Sequence, residues 1–286
     1  MNALNPIGAH VPVAGGLATG GLKYAADIGA EAIQVFVSNP RGWAPAAGRP
    51  AEDERLRAHA AERDFPVFVH TPYLVNFGSP SADTLARSVA SVRHALVRGA
   101  AIGARGVVVH TGSAVSQSRE DAMRQVREGL LPLLDEIPDD GPDVLLEPMA
   151  GQGGVLCATV EQLGPYLEAL DRHPRAGVCL DTCHAFAAGH DLAAPGGARK
   201  TVDALVDSVG PDRLKLIHAN DSKDPCGSAR DRHENIGAGR IGEKAFAALL
   251  RHPAVAGVPF VIETPGRARD PHRKDIDALR RLRDQG

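Results

Sequence analysis

The chain has 286 residues, 43% of them hydrophobic, and a formal net charge of −3. That apolar content supplies a sizeable core and excludes a disordered chain, and the length suits one α/β barrel of about 250 residues. The slight acidity argues against a nucleic-acid partner at face value, but bound divalent metals reverse the local sign of a site.

Residues 1–10 lack a charged region followed by an apolar one, so no signal peptide is expected there. No apolar stretch approaches the ~20 residues of a membrane span. In chain order, short runs rich in Val, Ile and Leu predict strands at 7–11 and 32–37. A charged, alanine-rich helix follows at 52–63, then a strand at 67–70. The helix predicted at 81–98 opens with Ser81 as N-cap and sets Leu85, Val89, Val92 and Leu96 on one face. After a strand at 106–110, the helix at 120–137 repeats the pattern with Met123, Val126, Leu130 and Leu134. Pro132 falls inside it and is expected to kink or split it. A strand at 144–147 leads to Thr159-Val-Glu-Gln162, a capping box ahead of Leu163 and Leu167. Strands at 177–181, 214–218 and 259–263 then alternate with helices at 201–209, 242–252 and 274–284.

Alternating strands and helices favour a parallel sheet covered by helices. Eight repeats favour closure into a single-domain (β/α)₈ TIM barrel spanning residues 1–286, with no linker or second domain. Such a barrel opens its active site where the strands end. The connections after Asn39, His70, Asp181, His218 and Glu263 are long and are expected to shape the cleft.

The eight apolar runs finish at His10, Asn39, His70, His110, Glu147, Asp181, His218 and Glu263, and seven of these are metal-ligand residue types. His184 follows Asp181 by three positions, and Asp231-Arg-His233 adds a pair in the loop after His218. Setting His10 aside, the constellation is His70, His110, Glu147, Asp181, His184, His218, Asp231, His233 and Glu263. Zinc takes imidazole nitrogen and carboxylate oxygen, usually in four-coordinate sites. Nine side chains with one bridging carboxylate supply ten bonds, enough for three metals that each keep a position open for water or phosphate. Manganese or iron also suits such a mixed site. One His at a strand end is more often an ordinary hydrogen-bonded residue, and His59, His94, His173, His190, His252 and His272 are read that way. His10 is left as a residue that could orient a ligand. Cys157, Cys179, Cys183 and Cys226 form no Cys-x-x-Cys pair and are read as reduced thiols of a cytoplasmic protein.

Longer motifs surround these positions. His110 opens His-Thr-Gly-Ser, and Glu147 opens Glu-Pro-Met-Ala-Gly-Gln-Gly. Asp181-Thr-Cys-His184-Ala-Phe-Ala-Ala-Gly, Ile217-His218-Ala-Asn-Asp221-Ser-Lys and Asp231-Arg-His233-Glu-Asn follow. On these blocks the chain resembles the endonuclease IV family, zinc-dependent apurinic/apyrimidinic endonucleases, from Ile7-Gly-Ala-His10-Val to the last helix. The resemblance implies one zinc on His70, His110 and Glu147, and a second on Glu147, Asp181, His218 and Glu263. It implies a third on His184, Asp231 and His233. It also implies double-stranded DNA containing abasic sites as partner. A monomer is expected of an enzyme that must wrap a bent duplex, in the cytoplasm and at the nucleoid when acting on DNA. Arg41 matches an arginine that probes the minor groove. Tyr73 and Leu74 match the pair that fills the base stack. Two places depart from the family: Pro148-Met149 stands where Asn-Thr is usual, and Thr111-Gly112-Ser113-Ala114 where some members have Pro-Gly-Ser-His.

The implied reaction is hydrolysis 5′ to an abasic site, leaving a 3′ hydroxyl and a 5′ deoxyribose phosphate. Water activated at the metals, oriented by Glu147 and Glu263 as catalytic residues, would attack in line. A missing base costs no unpairing and little unstacking, so extrusion is cheapest there. Lys223, Arg230, Arg232, Arg240, Arg267 and Arg269 lie in predicted mouth loops and could grip phosphate, although a solvated basic rim is the simpler reading of any one. Gly237-Ala-Gly239 reads as a turn rather than a phosphate cradle. Two rivals remain. A sugar isomerase or epimerase of the xylose-isomerase-like barrel group would leave His70, His110, Asp231 and His233 without a role. A non-catalytic damage-binding protein would not need an intact ligand set.

Overall fold

A computed structural model describes residues 4–266 and 269–285, without the side chain of Arg269. The strands are β1 (Ile7–His10), β2 (Ile33–Phe36), β3 (Val67–His70), β4 (Gly106–His110) and β5 (Asp143–Glu147). They continue with β6 (Ala176–Asp181), β7 (Leu214–His218), β8 (Asp221–Ser222), β9 (His233–Glu234) and β10 (Phe260–Ile262). Among the described residues, eight of them close a barrel in the order β1-β10-β7-β6-β5-β4-β3-β2, each pair parallel. This is the TIM barrel expected from the alternation. The remaining two, β8 and β9, form a small antiparallel ribbon above the mouth.

The covering helices are α1 (Lys23–Ile28), α2 (Pro50–Arg63), α3 (Ala82–Ala101), α4 (Arg119–Asp135) and α5 (Leu163–Ala169). Further on come α6 (Thr182–Ala187), α7 (Gly197–Val209), α8 (Glu243–Leu250) and α9 (Arg269–Asp284). No helix among the described residues is long and apolar enough to cross a membrane.

Strand side chains alternate between two faces. Outward residues such as Val69, Val109, Leu146, Leu180 and Ile262 join the helices in the large core. Inward residues Phe68, Val108, Leu145, Cys179, Leu216 and Val261 form a separate apolar plug inside the barrel. Leu145 fits there because its neighbours are glycines. A Cβ on Gly106 or Gly177 would come within 2.6 or 2.8 Å of its side chain. The residue two positions beyond each plug residue also faces the axis. That period sends the strand-end His, Asp and Glu into one mouth.

Several expectations shift in detail. The second strand ends at Phe36, and Asn39 sits in the following turn, where its Oδ1 accepts the Arg41 N–H at 3.0 Å. Ser81 does cap α3, accepting from the Thr84 N–H at 3.2 Å. Gln162 does close back on the Thr159 N–H at 3.2 Å. Pro132 does not split α4, which runs unbroken to Asp135. The proline sits in the last turn, where only one intrahelical bond is lost before the helix ends anyway. Neither α1 nor α6 stands out as an amphipathic pattern, because each has only six residues and α6 is buried throughout.

Candidate metal centre

Asp181 ends β6 and is also the N-cap of α6, where its Oδ1 accepts the His184 N–H at 2.8 Å. The Asp-x-x-His spacing is therefore a helix cap: the N-cap carboxylate binds the third residue of the helix, which here carries an imidazole. β9 carries His233, and its ring Nδ1–H donates to the Glu263 carbonyl at 3.2 Å. The β8–β9 ribbon is held by two buried carboxylates. Asp221 accepts from the N–H groups of Gly237, Ile241 and Gly242 at 3.0, 2.8 and 3.2 Å. Asp275 on α9 accepts from Asn235 Nδ2, Ile236 N and Thr264 Oγ1 at 2.8, 2.9 and 2.5 Å. The glycine turn at 237–239 thus encloses a protein carboxylate and is not open to phosphate.

All nine ligand-type residues meet at the mouth. Ligand atoms of His70, His110 and Glu147 lie within 4.8 Å of one another, and so do those of Glu147, Asp181, His218 and Glu263, and of His184, Asp231 and His233. These are the groupings implied by the family resemblance. His70, Glu147, Asp181, His184 and His218 are buried, while Asp231 is exposed at the rim.

The donor set fits metal ions. Glu147 Oε2 is buried with no hydrogen-bond partner, and His233 Nε2 faces Asp231 Oδ1 at 3.1 Å without hydrogen-bond geometry. Leaving such atoms unpaired costs about 1–3 kcal/mol each, so a native structure retains them for a reason. His70 Nε2 and His110 Nε2 stand 3.4 and 3.3 Å from Glu147 Oε2. His70 Nδ1–H already donates to the Thr71 carbonyl at 2.7 Å, so Nε2 is the nitrogen left to face that oxygen. A neutral imidazole there would set acceptor against acceptor, an arrangement that a cation relieves. His184 follows the same rule: its Nδ1–H donates to the Pro148 carbonyl at 3.0 Å, and its Nε2 faces Asp231 Oδ2 at 3.2 Å. A ring N–H given to a carbonyl is the usual support of a metal-ligating imidazole.

Electrostatics agree with this geometry. Burial opposes ionisation of Glu147, but His218 and His110 hold its carboxyl well below the usual range. Burial likewise opposes ionisation of Glu263, and His218 and His10 more than offset it. Burial works against charge on His233, but Asp181 and Asp231 push it up to about 9. His184 is raised by the same two carboxylates against its own burial. Metal loading must therefore displace protons. Cys179 and Cys183 also lie within reach of ligand atoms, but burial pushes Cys179 up to about 12 and Cys183 higher still. The carboxylates offer negative charge there without ionising a buried thiol.

Two buried amides escaped the sequence reading. Asn220 Nδ2 donates to Asp181 Oδ2 at 2.7 Å, and its Oδ1 accepts the Glu263 N–H at 2.7 Å. Gln34 Nε2 donates to Glu263 Oε1 at 2.7 Å and to His10 Nδ1 at 3.0 Å, placing His10 beside the ligand set. The signal for Gln34 was available: it is the polar residue inside an apolar run.

Tyr73 and Leu74 project beside the mouth, 53% and 39% exposed. The Tyr73 ring stacks near His110 at 6.2 Å and meets Phe36 edge-on at 5.5 Å. Its N–H donates to the Pro40 carbonyl at 3.0 Å, joining this loop to the one that carries exposed Arg41. Among the candidate phosphate-gripping residues, Lys223 and Arg240 are exposed, whereas Arg232 is paired with Asp224. Arg230 lies 3.8 Å from the same carboxylate. Arg267 and the side chain of Arg269 lie outside the described residues.

Residues 22–285 match the family model described as "Xylose isomerase-like TIM barrel". The chain is 60% identical over 282 residues to the "Probable endonuclease 4" of Streptomyces avermitilis, covering 98% of this chain and 91% of that protein. Its likeness to the Streptomyces coelicolor protein of the same name is also 60%, covering 98% and 96%. The crystal structure of endonuclease IV from Thermus thermophilus superposes with a TM-score of 0.86 at 34% identity, covering 98% and 100% of the two chains. A D-tagatose 3-epimerase-like protein superposes at 0.71 with 19% identity, which shows a shared fold alone. With these relatives matched over nearly their whole length, the chain belongs to the endonuclease IV family of metal-dependent nucleases.

Proposed function

We propose that this protein repairs DNA by hydrolysing the phosphodiester bond 5′ to an abasic site in duplex DNA, leaving a 3′ hydroxyl and a 5′ deoxyribose phosphate. The observation that carries this reading is Glu147. Its buried, unpartnered Oε2 faces His70 and His110, its Oε1 faces His218, and a third metal-competent group lies alongside. His70, His110 and Glu147 would hold one zinc; Glu147, Asp181, His218 and Glu263 a second; His184, Asp231 and His233 a third. Manganese suits the same donors at one or more of these positions. When bound, such metals supply an activated water and neutralise the phosphate oxygens.

The chain's own residues would do the rest. Glu147 spans the first two groups and fixes their separation. Glu263 reaches the mouth less buried than Glu147, and Gln34 holds its Oε1, so it is placed to orient an attacking water. Tyr73 and Leu74 would fill the gap left by an extruded nucleotide, with Arg41 held beside them through Pro40. The partner would be damaged duplex DNA met by a monomer at the nucleoid, and the modest net charge fits a cleft whose positive sign comes from its metals.

The test uses a labelled duplex with one tetrahydrofuran abasic analogue beside an undamaged duplex. The analogue cannot undergo β-elimination, so a nick 5′ to it must be hydrolytic. The expected result is that nick, lost in a folded Glu263→Gln variant. No nick with zinc or manganese content verified would overturn the reading and point to sugar substrates.

A further inference from the structure

His70, His184 and His233 are oriented alike: each donates Nδ1–H to a main-chain carbonyl and turns Nε2 inward. His218 is the reverse. Its Nδ1 lies 2.9 Å from Glu147 Oε1 and 3.4 Å from Glu263 Oε2, and its Nε2 lies 2.8 Å from Gln34 Oε1. Gln34 is fully buried and comes from β2, a strand that supplies none of the nine ligand-type residues.

The chemistry of Gln34 fixes which nitrogen of His218 is which. One end of the amide lies 2.7 Å from Glu263 Oε1. An ionised carboxylate only accepts, so that end is the NH₂. The end facing His218 is then the carbonyl oxygen, which also only accepts, so His218 Nε2 must carry a hydrogen. The remaining amide hydrogen goes to His10 Nδ1 at 3.0 Å. Turning the amide over would set oxygen against the Glu263 carboxylate, so the network permits one orientation.

We propose that Gln34 is a positioning residue that locks His218 with Nδ1 as its metal-facing nitrogen and holds His218 and Glu263 in one frame. The proposal rests on the metal-centre reading above. In a loaded centre, Gln34 would preorganise the group formed by Glu147, Asp181, His218 and Glu263, and leave the other two groups to their main-chain anchors.

Zinc binding by the full chain tests it, with equilibrium dialysis at set free zinc and direct metal analysis. Gln34→Met keeps the shape and removes every hydrogen bond, and His218→Asn serves as reference. The expected result is that His218→Asn loses one zinc equivalent and Gln34→Met binds that same equivalent about 10–100-fold more weakly. The other equivalents keep wild-type affinity. A Gln34→Met protein that fills every equivalent like the wild type, while His218→Asn does not, overturns the proposal alone. A wild type that retains no zinc overturns the metal-centre reading as well. Should Gln34→Met fail to fold, long-range ¹H–¹⁵N spectra of the zinc-loaded wild type decide. His218 protonated on Nε2, opposite to His70, His184 and His233, supports the lock; protonation on Nδ1 overturns it.

Discussion

Two rings of side chains, set two residues apart on the same strands, divide the barrel interior between stability and chemistry. The lower ring holds Phe68, Val108, Leu145, Cys179, Leu216 and Val261, and is apolar and buried. The upper ring holds His70, His110, Glu147, Asp181, His218 and Glu263, crowded with charge and carrying an unpartnered carboxylate oxygen. One strand period separates a layer that a folding chain favours from one it would avoid without an outside partner. A barrel tolerates the second because the first, with the helices around it, holds the frame.

The contrast is open to attack from either side. The largest effect is expected from Glu147→Gln, which removes the charge shared by the upper ring. Cleavage of abasic duplex should fall by at least about 100-fold, since even groups that merely support a ligand cost 10–100-fold. Metal analysis should show lost equivalents while circular dichroism of the metal-free protein is unchanged. If cleavage persists, the upper ring is not the reactive layer. Next comes Leu145→Ala in the lower ring. It should lower unfolding stability by about 2–5 kcal/mol, read by urea titration, with the number of bound metals unchanged. Loss of metal instead would mean the rings do not divide the work.

Smaller effects lie at the rim. Tyr73→Ala should weaken binding to abasic duplex by about 1–3 kcal/mol in a fluorescence titration, leaving undamaged duplex and thermal stability nearly unaffected. An equal loss on both duplexes would make Tyr73 a packing residue of the mouth. The smallest effect is expected from Arg240→Ala. It should reduce the slope of log affinity against log salt by about one, measured over several salt concentrations, if the exposed guanidinium touches phosphate.

Much of this was legible in the sequence because buried parallel strands read as apolar runs, and the runs stop at residues that a barrel interior does not otherwise need. Asp181 and His184 were visible for a local reason, the cap of α6, although that short buried helix has no amphipathic stripe of its own. Gln34 and Asn220 were harder. An amide has no ligand signature, and its meaning comes from which carboxylate and which ring it touches across more than 180 positions for Gln34 and His218. Asp275 was hidden for the same reason, since its partners come from loops 40 and 11 residues away.

The main-chain anchors also bear on how the protein withstands mutation. His184 hangs from the carbonyl of Pro148. A carbonyl is present whatever residue occupies that place, so the sequence there can drift without unfastening the imidazole. The same holds for Thr71 behind His70 and, on its main-chain side, for Glu263 behind His233. His218 has no such insurance, because its support is the side chain of Gln34. Of these four imidazoles, it alone can be set adrift by one codon change at a residue that is not itself a ligand.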